Sequence, residues 1–212
     1  MNHTNVALIF TGIVVAFVLL LSFLFSQRPT VNDEWFHGET TARWQITEYA
    51  DLECPFCREY TPKLKEWVSQ QPDIKLRWHH FPLQGHGTMA LYEARLVQCA
   101  GKLGGAEEFW RAINLVLEHS KGNGRGVNLD FEHQSLDINP KAFACATNDK
   151  VIAKDVDQQL TIAKSRGVVA TPTIEVTDTL TGHSVRLEGP VDGNALLSAI
   201  DALAAHNTPR QE

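Results

Sequence analysis

Two cysteines separated by two residues stand at the junction of a predicted strand and a predicted helix. Residues 43–50 (RWQITEYA) are rich in β-branched and aromatic residues, which predicts a strand. The dithiol segment Cys54–Cys57 (CPFC) follows after a short acidic stretch, and residues 56–70 then carry apolar side chains at helical spacing. A two-cysteine motif is weak by itself, but its position at the start of a helix makes it a strong indication of redox chemistry.

The start of a helix explains the chemistry expected of the two sulfurs. Free backbone N–H groups and the positive end of the helix dipole face the leading sulfur of Cys54 and favour its thiolate, the nucleophilic form. Cys57 lies one helical turn further along, where it can resolve a mixed disulfide. Pro55 suits the first turn because its missing N–H has no helical partner to lose. We therefore expect Cys54 to attack and Cys57 to resolve.

Other uses of the four cysteines are less well supported by the spacing. A structural zinc site needs four ligands, usually as two close pairs, but Cys99 and Cys145 are 46 residues apart. A purely structural disulfide between Cys54 and Cys57 would close so short a loop that it stabilises little. The nine histidines are scattered along the chain. We expect neither a metal nor a cofactor.

The remaining periodicity predicts a small α/β sheet that carries a helical insertion. We expect a domain over residues 43–206 with the insertion at about 86–166, and a mobile glycine-rich loop at 121–126. The order after the first helix is a strand at 74–81, helices at 89–100, 106–119, 140–147 and 151–165, strands at 173–176 and 184–187, and a last helix from the cap Asp192 to about residue 205.

An apolar segment precedes the domain. In Val6–Phe25, 17 of 20 residues are apolar and none is charged, and a helix of that length at about 1.5 Å per residue matches the hydrocarbon core of a bilayer. A secretory signal peptide is the alternative, but residues 1–5 lack basic residues and residues 24–26 are a poor cleavage site. We expect residues 1–26 to form an uncleaved transmembrane anchor, followed by a linker at 27–42.

Charge restricts the partners of the domain. The formal net charge is −6, and residues 1–26 contain no Lys, Arg, Asp or Glu, so the domain carries all of it. A nucleic-acid-binding surface needs a basic face, and we expect no nucleic-acid partner. The flanking charges do not orient the anchor, because Arg28 is followed closely by Asp33 and Glu34.

Three blocks of sequence around the cysteines and the later strands are distinctive. They are EYADLECPFCREYTP (48–62), HFPLQGH (80–86) and FACATNDKVIAKDVDQQLTIAKSRGVVATPTIEV (143–176). Together they resemble the DsbA-like branch of the thioredoxin superfamily, over about residues 44–205. The resemblance implies an α/β thioredoxin fold with an inserted helical domain. It also implies thiol–disulfide exchange on proteins outside the cytoplasm.

The resemblance implies roles for single residues near the dithiol. Thr171-Pro172 matches the family's loop with a cis-proline, which packs against the active-site sulfurs and offers a backbone edge to a substrate peptide; the alternative is an ordinary trans-proline. Pro55 and Phe56 would then flank the bound substrate. Glu48, six residues before the first cysteine, matches the family's acid beneath the dithiol. It would accept the proton of the resolving thiol, unless it is an exposed strand residue.

Three other polar residues lie close to these motifs. Asp51 and Glu53 are nearer to Cys54 in sequence than Glu48 is. We interpret both as loop residues whose negative charge slightly opposes formation of the thiolate. We interpret His86 as a helix-start or core residue near the active site.

A second cysteine pair is also implied by the resemblance, since some relatives carry one at comparable positions. We expect a structural disulfide between Cys99 and Cys145, in the inserted helices, with two buried free thiols as the alternative. The closed loop of about 47 residues would stabilise the fold by about 4 kcal/mol. One catalytic pair and one structural pair fit an oxidising compartment. The anchor would then have its N-terminus in the cytoplasm and, in a bacterium, hold the domain in the periplasm at the inner membrane.

The function that we expect is a membrane-anchored thiol:disulfide oxidoreductase, with oxidation of substrates favoured over the reverse direction. A disulfide isomerase or reductase is one alternative, and a membrane-anchored chaperone or binding module on the same fold is another. The expected partners are substrate proteins with thiols or disulfides, a membrane redox partner that resets the dithiol, and the lipid bilayer around residues 6–25.

Overall fold

The computed structural model describes residues 35–127 and 136–206. The predicted anchor at 1–26 and half of the predicted linker, residues 27–34, lie outside the described residues. Within the ranges that are described, no helix is both long enough and apolar enough to cross a membrane.

Strands and helices follow one another in nearly the predicted order. The helix Gly87–His119 contains a break at Gly105, where φ is +73°, so it joins the two separate helices that the sequence predicts there. The elements are β1 (Phe36–Gly38), β2 (Trp44–Ala50), α1 (Pro55–Ser69), β3 (Ile74–His80), a 3₁₀ turn (Gln84–His86), α2 (Gly87–His119), α3 (Pro140–Asn148), α4 (Lys150–Ser165), β4 (Thr173–Asp178), β5 (Ser184–Glu188) and α5 (Gly193–His206).

The strands form one mixed sheet in the order β1-β3-β2-β4-β5. Strands β2 and β3 are parallel, with Glu48 opposite Trp78, and the other neighbouring pairs are antiparallel. The parallel pair is joined through α1, which is the connection that two parallel strands need. This topology with helices inserted between β3 and β4 confirms the predicted thioredoxin architecture.

Strand β1 corrects the predicted linker. Residues 27–42 are predicted as a linker, but Phe36–Gly38 pairs antiparallel with β3, so that Phe36 lies opposite Arg77. Gly38 has a φ of +96°, and a Cβ there would lie 2.9 Å from the Ile74 carbonyl oxygen. A strand of three residues is too short to produce a recognisable alternation of polar and apolar residues, so the sequence pattern does not reveal it.

The two faces of the sheet pack against different helices. Ile46 on β2 belongs to the main core cluster together with Leu64 of α1 and Leu196 of α5. Tyr49 belongs to a smaller cluster with Ala163 of α4. Because side chains alternate across a strand, Glu48 faces the same side as Ile46 and therefore points toward α1.

A disulfide fastens the inserted helices to each other. Cys99 in α2 and Cys145 in α3 are bonded, with their Cα atoms 6.0 Å apart. Cys99 has no exposed surface. This pair is therefore structural in position, and it lies on elements that do not carry the Cys54–Cys57 motif.

Candidate active site

The dithiol begins helix α1 directly after β2. The N–H of Cys54 donates to the Asp51 carbonyl oxygen at 3.0 Å, which closes the turn between the strand and the helix. Cys54 is the N-cap residue, and Pro55 occupies the first helical position. The Cys54 carbonyl accepts the N–H of Arg58 at 3.1 Å, so the hydrogen bonding of the helix begins at the motif itself.

The two cysteines differ in their exposure. Cys54 keeps an exposed fraction of 4%, whereas Cys57 has none. Pro55 is exposed, and Phe56 presents 65% of its surface to solvent. The sulfurs of Cys54 and Cys57 are not bonded to each other in this structure. The more accessible sulfur, Cys54, is thus framed by two exposed apolar residues.

Hydrogen bonds at the helix start stabilise the thiolate of Cys54. Its pKa is lowered to about 6, chiefly by a hydrogen bond from the Cys57 thiol, which outweighs the opposing effect of burial. The Thr171 side chain and the backbone N–H groups of Cys57 and Phe56 lower the pKa further. The thiolate is therefore the main form of Cys54 at neutral pH.

Cys57 titrates in the opposite direction. Burial raises its pKa well above 9, and the negative charges of Glu48 and Cys54 add to the rise. Cys57 therefore remains a protonated thiol at neutral pH. It becomes a nucleophile or a leaving group only when a base accepts its proton or an acid supplies one.

Glu48 is a wholly buried carboxyl group on β2. Burial raises its pKa to about 8, and the hydrogen bond from Thr61 and the positive charge of Lys65 reduce the rise. The Thr61 Oγ1 donates to Glu48 Oε1 at 2.8 Å, and Glu48 Oε2 has no partner within the described residues. A carboxyl group with a pKa near neutrality can give or accept a proton at low cost.

The peptide bond between Thr171 and Pro172 is cis. The Cys54 Sγ lies 3.4 Å from the Thr171 carbonyl oxygen, which accepts the proton of the thiol form. The Thr171 hydroxyl is buried and has no other partner among the described residues, so it is free to donate to the thiolate. The loop that precedes β4 therefore contacts both protonation states of the leading sulfur.

The acidic turn before the dithiol corrects the interpretation of Asp51 and Glu53. Both are loop residues as predicted, but their side chains are buried and hydrogen-bonded rather than open. Asp51 Oδ2 accepts the N–H of Leu83 at 2.7 Å and lies 2.7 Å from Nδ1 of His86, which is thus placed near the site. Asp51 Oδ1 accepts the N–H of Glu53 at 2.8 Å. These carboxyl groups tie loops to the site, and neither is among the groups that raise the pKa of Cys54.

The structure brings together the residues that the sequence assigns to the site, and it separates Cys99 and Cys145 from them. Two residues were missed, Thr61 and Lys65, which both act on Glu48. Thr61 lies four residues after Cys57, so helical spacing from the motif is a usable signal for it. Lys65 follows at the same spacing, but its charge suggests an exposed position.

Across residues 35–127 and 136–206, no group of three or more His, Cys, Asp or Glu side chains is arranged to hold a metal ion.

Comparison with known proteins gives consistent matches over most of the chain. The sequence model of the family described as Thioredoxin matches residues 30–202. The crystal structure of DsbA2 from Pseudomonas aeruginosa is 47% identical, with a TM-score of 0.76, over 83% of this chain and 97% of that one. The structure of α-DsbA1 from Wolbachia pipientis is 22% identical, with a TM-score of 0.62, over 84% of this chain and 94% of that one, which supports the fold.

Curated relatives of a different kind also match. The Na⁺/H⁺ antiporter NhaA 3 of Salinispora tropica is 27% identical over 175 residues, which are 82% of this chain. The matched part is 25% of the antiporter, so this chain spans about a quarter of the length of the curated relatives it matches.

Proposed function

Because the chain belongs to the thioredoxin family and is a DsbA-like thiol:disulfide oxidoreductase, we propose that it oxidises cysteine pairs of substrate proteins through Cys54 and Cys57. The observation that carries this direction is the opposite titration of the two sulfurs. A thiolate stabilised at Cys54 favours the reduced enzyme and makes its disulfide a strong oxidant. The oxidised protein therefore gives up its disulfide readily.

The first step is attack by a substrate thiolate on Cys54. The new bond joins the substrate sulfur to the Cys54 Sγ, and the bond between Cys54 and Cys57 breaks. Cys57 leaves with the electron pair and takes a proton from Glu48, which suits the high pKa of Cys57 and the pKa of Glu48 near 8. The product is a mixed disulfide with a carboxylate at Glu48.

The second step releases the oxidised substrate. A second substrate thiolate attacks the substrate sulfur of the mixed disulfide, and Cys54 leaves as a thiolate. The hydrogen bonds that lower its pKa to about 6 make it a good leaving group. In total, two electrons pass from the substrate dithiol to the protein, and the substrate gains one disulfide.

Substrate recognition is proposed to use the surface that surrounds Cys54. Pro55 and Phe56 are exposed beside the sulfur, and the backbone of the Thr171-Pro172 loop lies against it. An extended substrate segment can pair with this loop and place its own sulfur against Cys54. The apolar side chain of Phe56 then contacts the residues next to the substrate cysteine.

The location that fits this chemistry is outside the cytoplasm. The bonded pair Cys99–Cys145, together with the redox pair Cys54 and Cys57, fits an oxidising compartment. We propose that the domain works in the periplasm, tethered by residues 6–25 and reoxidised by a membrane redox partner. Extraction of membranes at alkaline pH tests the tether: the full chain should stay with the lipid, and its release would contradict the anchor.

The proposed direction is tested with a reduced dithiol peptide as substrate. One equivalent of the oxidised full chain should convert one equivalent of peptide dithiol to disulfide, and Cys54→Ala should abolish the reaction. The same proteins are then given a peptide with mispaired disulfides. Faster reshuffling by the reduced chain than oxidation by the oxidised chain would contradict the oxidase assignment and favour an isomerase. Full biological activity of Cys54→Ala would instead favour a binding module.

A further inference from the structure

Two glutamates that the exchange reaction does not use are buried beside the dithiol. Glu53 immediately precedes Cys54, and Glu93 lies in the first half of α2. Neither side chain has any exposed surface. A buried carboxylate is costly unless hydrogen bonds compensate for the lost water, so hydrogen bonds within the protein must stabilise this pair.

Glu53 is held by hydrogen bonds from residues 120–127, the 120–127 loop, which follows α2. The Ser120 hydroxyl donates to Glu53 Oε1, and the N–H of Gly126 donates to Oε2 at 3.2 Å. The Glu53 main chain is held as well, because its carbonyl accepts the N–H of Asn123 at 2.8 Å. The loop thus closes around the residue that precedes the reacting sulfur.

Positive φ values let the backbone of the 120–127 loop lie against Glu53. Gly122, Asn123 and Gly124 have φ values of +67°, +57° and +79°. This left-handed turn directs the Gly122 N–H to the Ser120 hydroxyl at 3.0 Å and the Asn123 N–H to the Glu53 carbonyl. The Ser120 hydroxyl that is held in this way donates in turn to the Glu53 carboxylate. Arg58 of α1 also donates to the Ser120 carbonyl, so the loop is fastened to the first turn of the dithiol helix too.

Glu93 completes the pair as its protonated member. Its Oε1 accepts the N–H of Val127 at 3.0 Å, and its Oε2 receives no N–H or O–H in the described part of the chain, which suits a hydroxyl that donates to Glu53. Burial, and then the negative charge of Glu53, raise the pKa of Glu93 to about 9. Burial opposes ionisation of Glu53, but the hydrogen bonds from Ser120, Gly126 and Glu93 hold its pKa below its ordinary value. The pair therefore holds one proton at neutral pH.

We propose that Glu53 is a positioning residue for disulfide exchange: with the proton held by Glu93, its carboxylate fastens the 120–127 loop to the turn that carries Cys54 and so fixes the Cys54 sulfur at the start of α1. The proposal rests on the proposed role of Cys54 as the sulfur that reacts with substrate. Glu53 itself does not touch the reacting atoms in this account. It acts through the backbone that it shares with Cys54.

The other charged groups around the pair are already engaged. Asp51, from the same turn, binds the backbone of Leu83 and lies against His86. Arg125 of the loop donates to the Gly122 and Lys121 carbonyls, and Lys121 is exposed. Arg58 of α1 lies against the loop, where it donates to the Ser120 carbonyl while its Nε has no partner among the described residues. No ion pair within the described ranges joins it to either glutamate, so loss of the Glu93 proton places two carboxylates in one buried space. The loop should separate from the turn as pH rises above about 9.

The test compares Glu53→Gln and Glu93→Gln in the full chain, with Glu59→Gln as the matched control because Glu59 is exposed on α1. Three quantities are measured: the rate of reaction of Cys54 with glutathione disulfide, the pKa of Cys54 from thiolate absorbance, and the hydrogen exchange of the Asn123 and Gly126 amides. Glu53→Gln should slow the reaction of Cys54 at least tenfold, shift its pKa, and speed exchange of both amides at least tenfold.

Glu93→Gln distinguishes positioning from simple stability. Its amide still donates to Glu53, so the rate at pH 7 should stay within twofold of the unchanged protein, and the loss of rate above pH 9 should disappear. If Glu53→Gln does not fold, Ser120→Ala takes its place in the test. It removes only one of the donors to Glu53, so it should slow the reaction of Cys54 by less than the tenfold expected of Glu53→Gln.

Several outcomes overturn the proposal. A folded Glu53→Gln protein with a loosened loop but an unchanged Cys54 rate and pKa would show that Glu53 is merely structural. The same conclusion follows if Ser120→Ala has no effect on the Cys54 rate, or if Glu59→Gln matches Glu53→Gln. Failure of the proposed role of Cys54 looks different, because the wild-type protein would then show no reaction of Cys54 with glutathione disulfide at all.

Discussion

The pKa values of Cys54 and Cys57 shift in opposite directions, although the two residues are only one helical turn apart. Cys54 caps the helix, where N–H groups and the Cys57 thiol converge on its sulfur. Cys57 lies inside the first turn, where burial removes water and Glu48 adds negative charge. The reactivity of the pair therefore follows from their positions in the helix rather than from the residue type.

Removal of the Thr171 hydroxyl should weaken the thiolate of Cys54. Thr171→Val keeps the shape of the side chain and the carbonyl contact but removes a donor to the sulfur. We expect the pKa of Cys54 to rise by about 1 unit, because a hydrogen bond to a charged group contributes at about this level. Thiolate absorbance against pH measures the change. Thr161→Val on the exposed face of α4 is the control, and an equal effect of both variants would contradict the role of Thr171.

Replacement of Glu48 should make stability less dependent on pH. The pKa of Glu48 is raised to about 8 in the folded protein, so the folded chain binds a proton that the unfolded chain releases at lower pH. The free energy of unfolding therefore falls as pH rises from about 4.5 to 8. Glu48→Gln removes this dependence and should be more stable than the unchanged protein by about 1–3 kcal/mol at pH 8, and not at pH 4.

Urea unfolding at pH 4 and pH 8 measures this effect of Glu48. Glu39→Gln is a suitable control, since Glu39 is an exposed carboxyl group in the segment between β1 and β2. A Glu48→Gln protein with the same pH dependence as the unchanged protein would show that Glu48 is ionised at neutral pH and cannot supply the proton to Cys57.

At the scale of elements, the disulfide between α2 and α3 should act on stability alone. The double variant Cys99→Ala/Cys145→Ala opens a loop of about 47 residues and should lower the free energy of unfolding by about 2–4 kcal/mol. The pKa of Cys54 should stay unchanged, because neither cysteine contributes to it. Urea unfolding and thiolate absorbance check the two parts, and an altered Cys54 pKa would contradict the separation of the pairs.

Elements with a strong local pattern were predictable from the sequence. Strand β2, helix α1 and the helices on both sides of Gly105 were placed to within a few residues, since each has a long amphipathic or β-branched pattern. Strand β1 was missed because three residues carry no period. The N-cap position of Cys54 was predictable from the strand that precedes it, and this position determines the chemistry.

The hydrogen bonds from the 120–127 loop to Glu53 were not predictable from a local pattern. It depends on residues of the turn, of α2 and of the loop itself, which are far apart in the chain. A partial signal exists, because Glu93 lies on the same helical face as Val97 and Ala100, where a charged residue is unexpected. The glycines of the loop indicate freedom of the backbone, and in the fold they allow the positive φ values that bring the loop against Glu53.

At the scale of the whole molecule, the surface beside the reactive sulfur of Cys54 carries a large exposed apolar side chain. Phe56 is 65% exposed beside Cys54. Phe56→Ser should lower kcat/KM for a protein substrate about tenfold, because the contact with the substrate's apolar residues is lost. The rate with glutathione disulfide should change less than twofold. Leu180→Ser, which removes another exposed apolar side chain, between β4 and β5, should leave both rates unchanged; a loss there would contradict recognition by Phe56.

The midpoint redox potential of Cys54 and Cys57 tests the central claim most directly. The full chain is equilibrated with glutathione buffers of graded potential, and the free thiols are trapped by alkylation and counted. Because the Cys54 thiolate is stabilised, we predict a reversible two-electron transition above about −200 mV, in the range of oxidants. A midpoint below about −250 mV, in the range of dithiol reductants, or the absence of a two-electron transition would contradict the account.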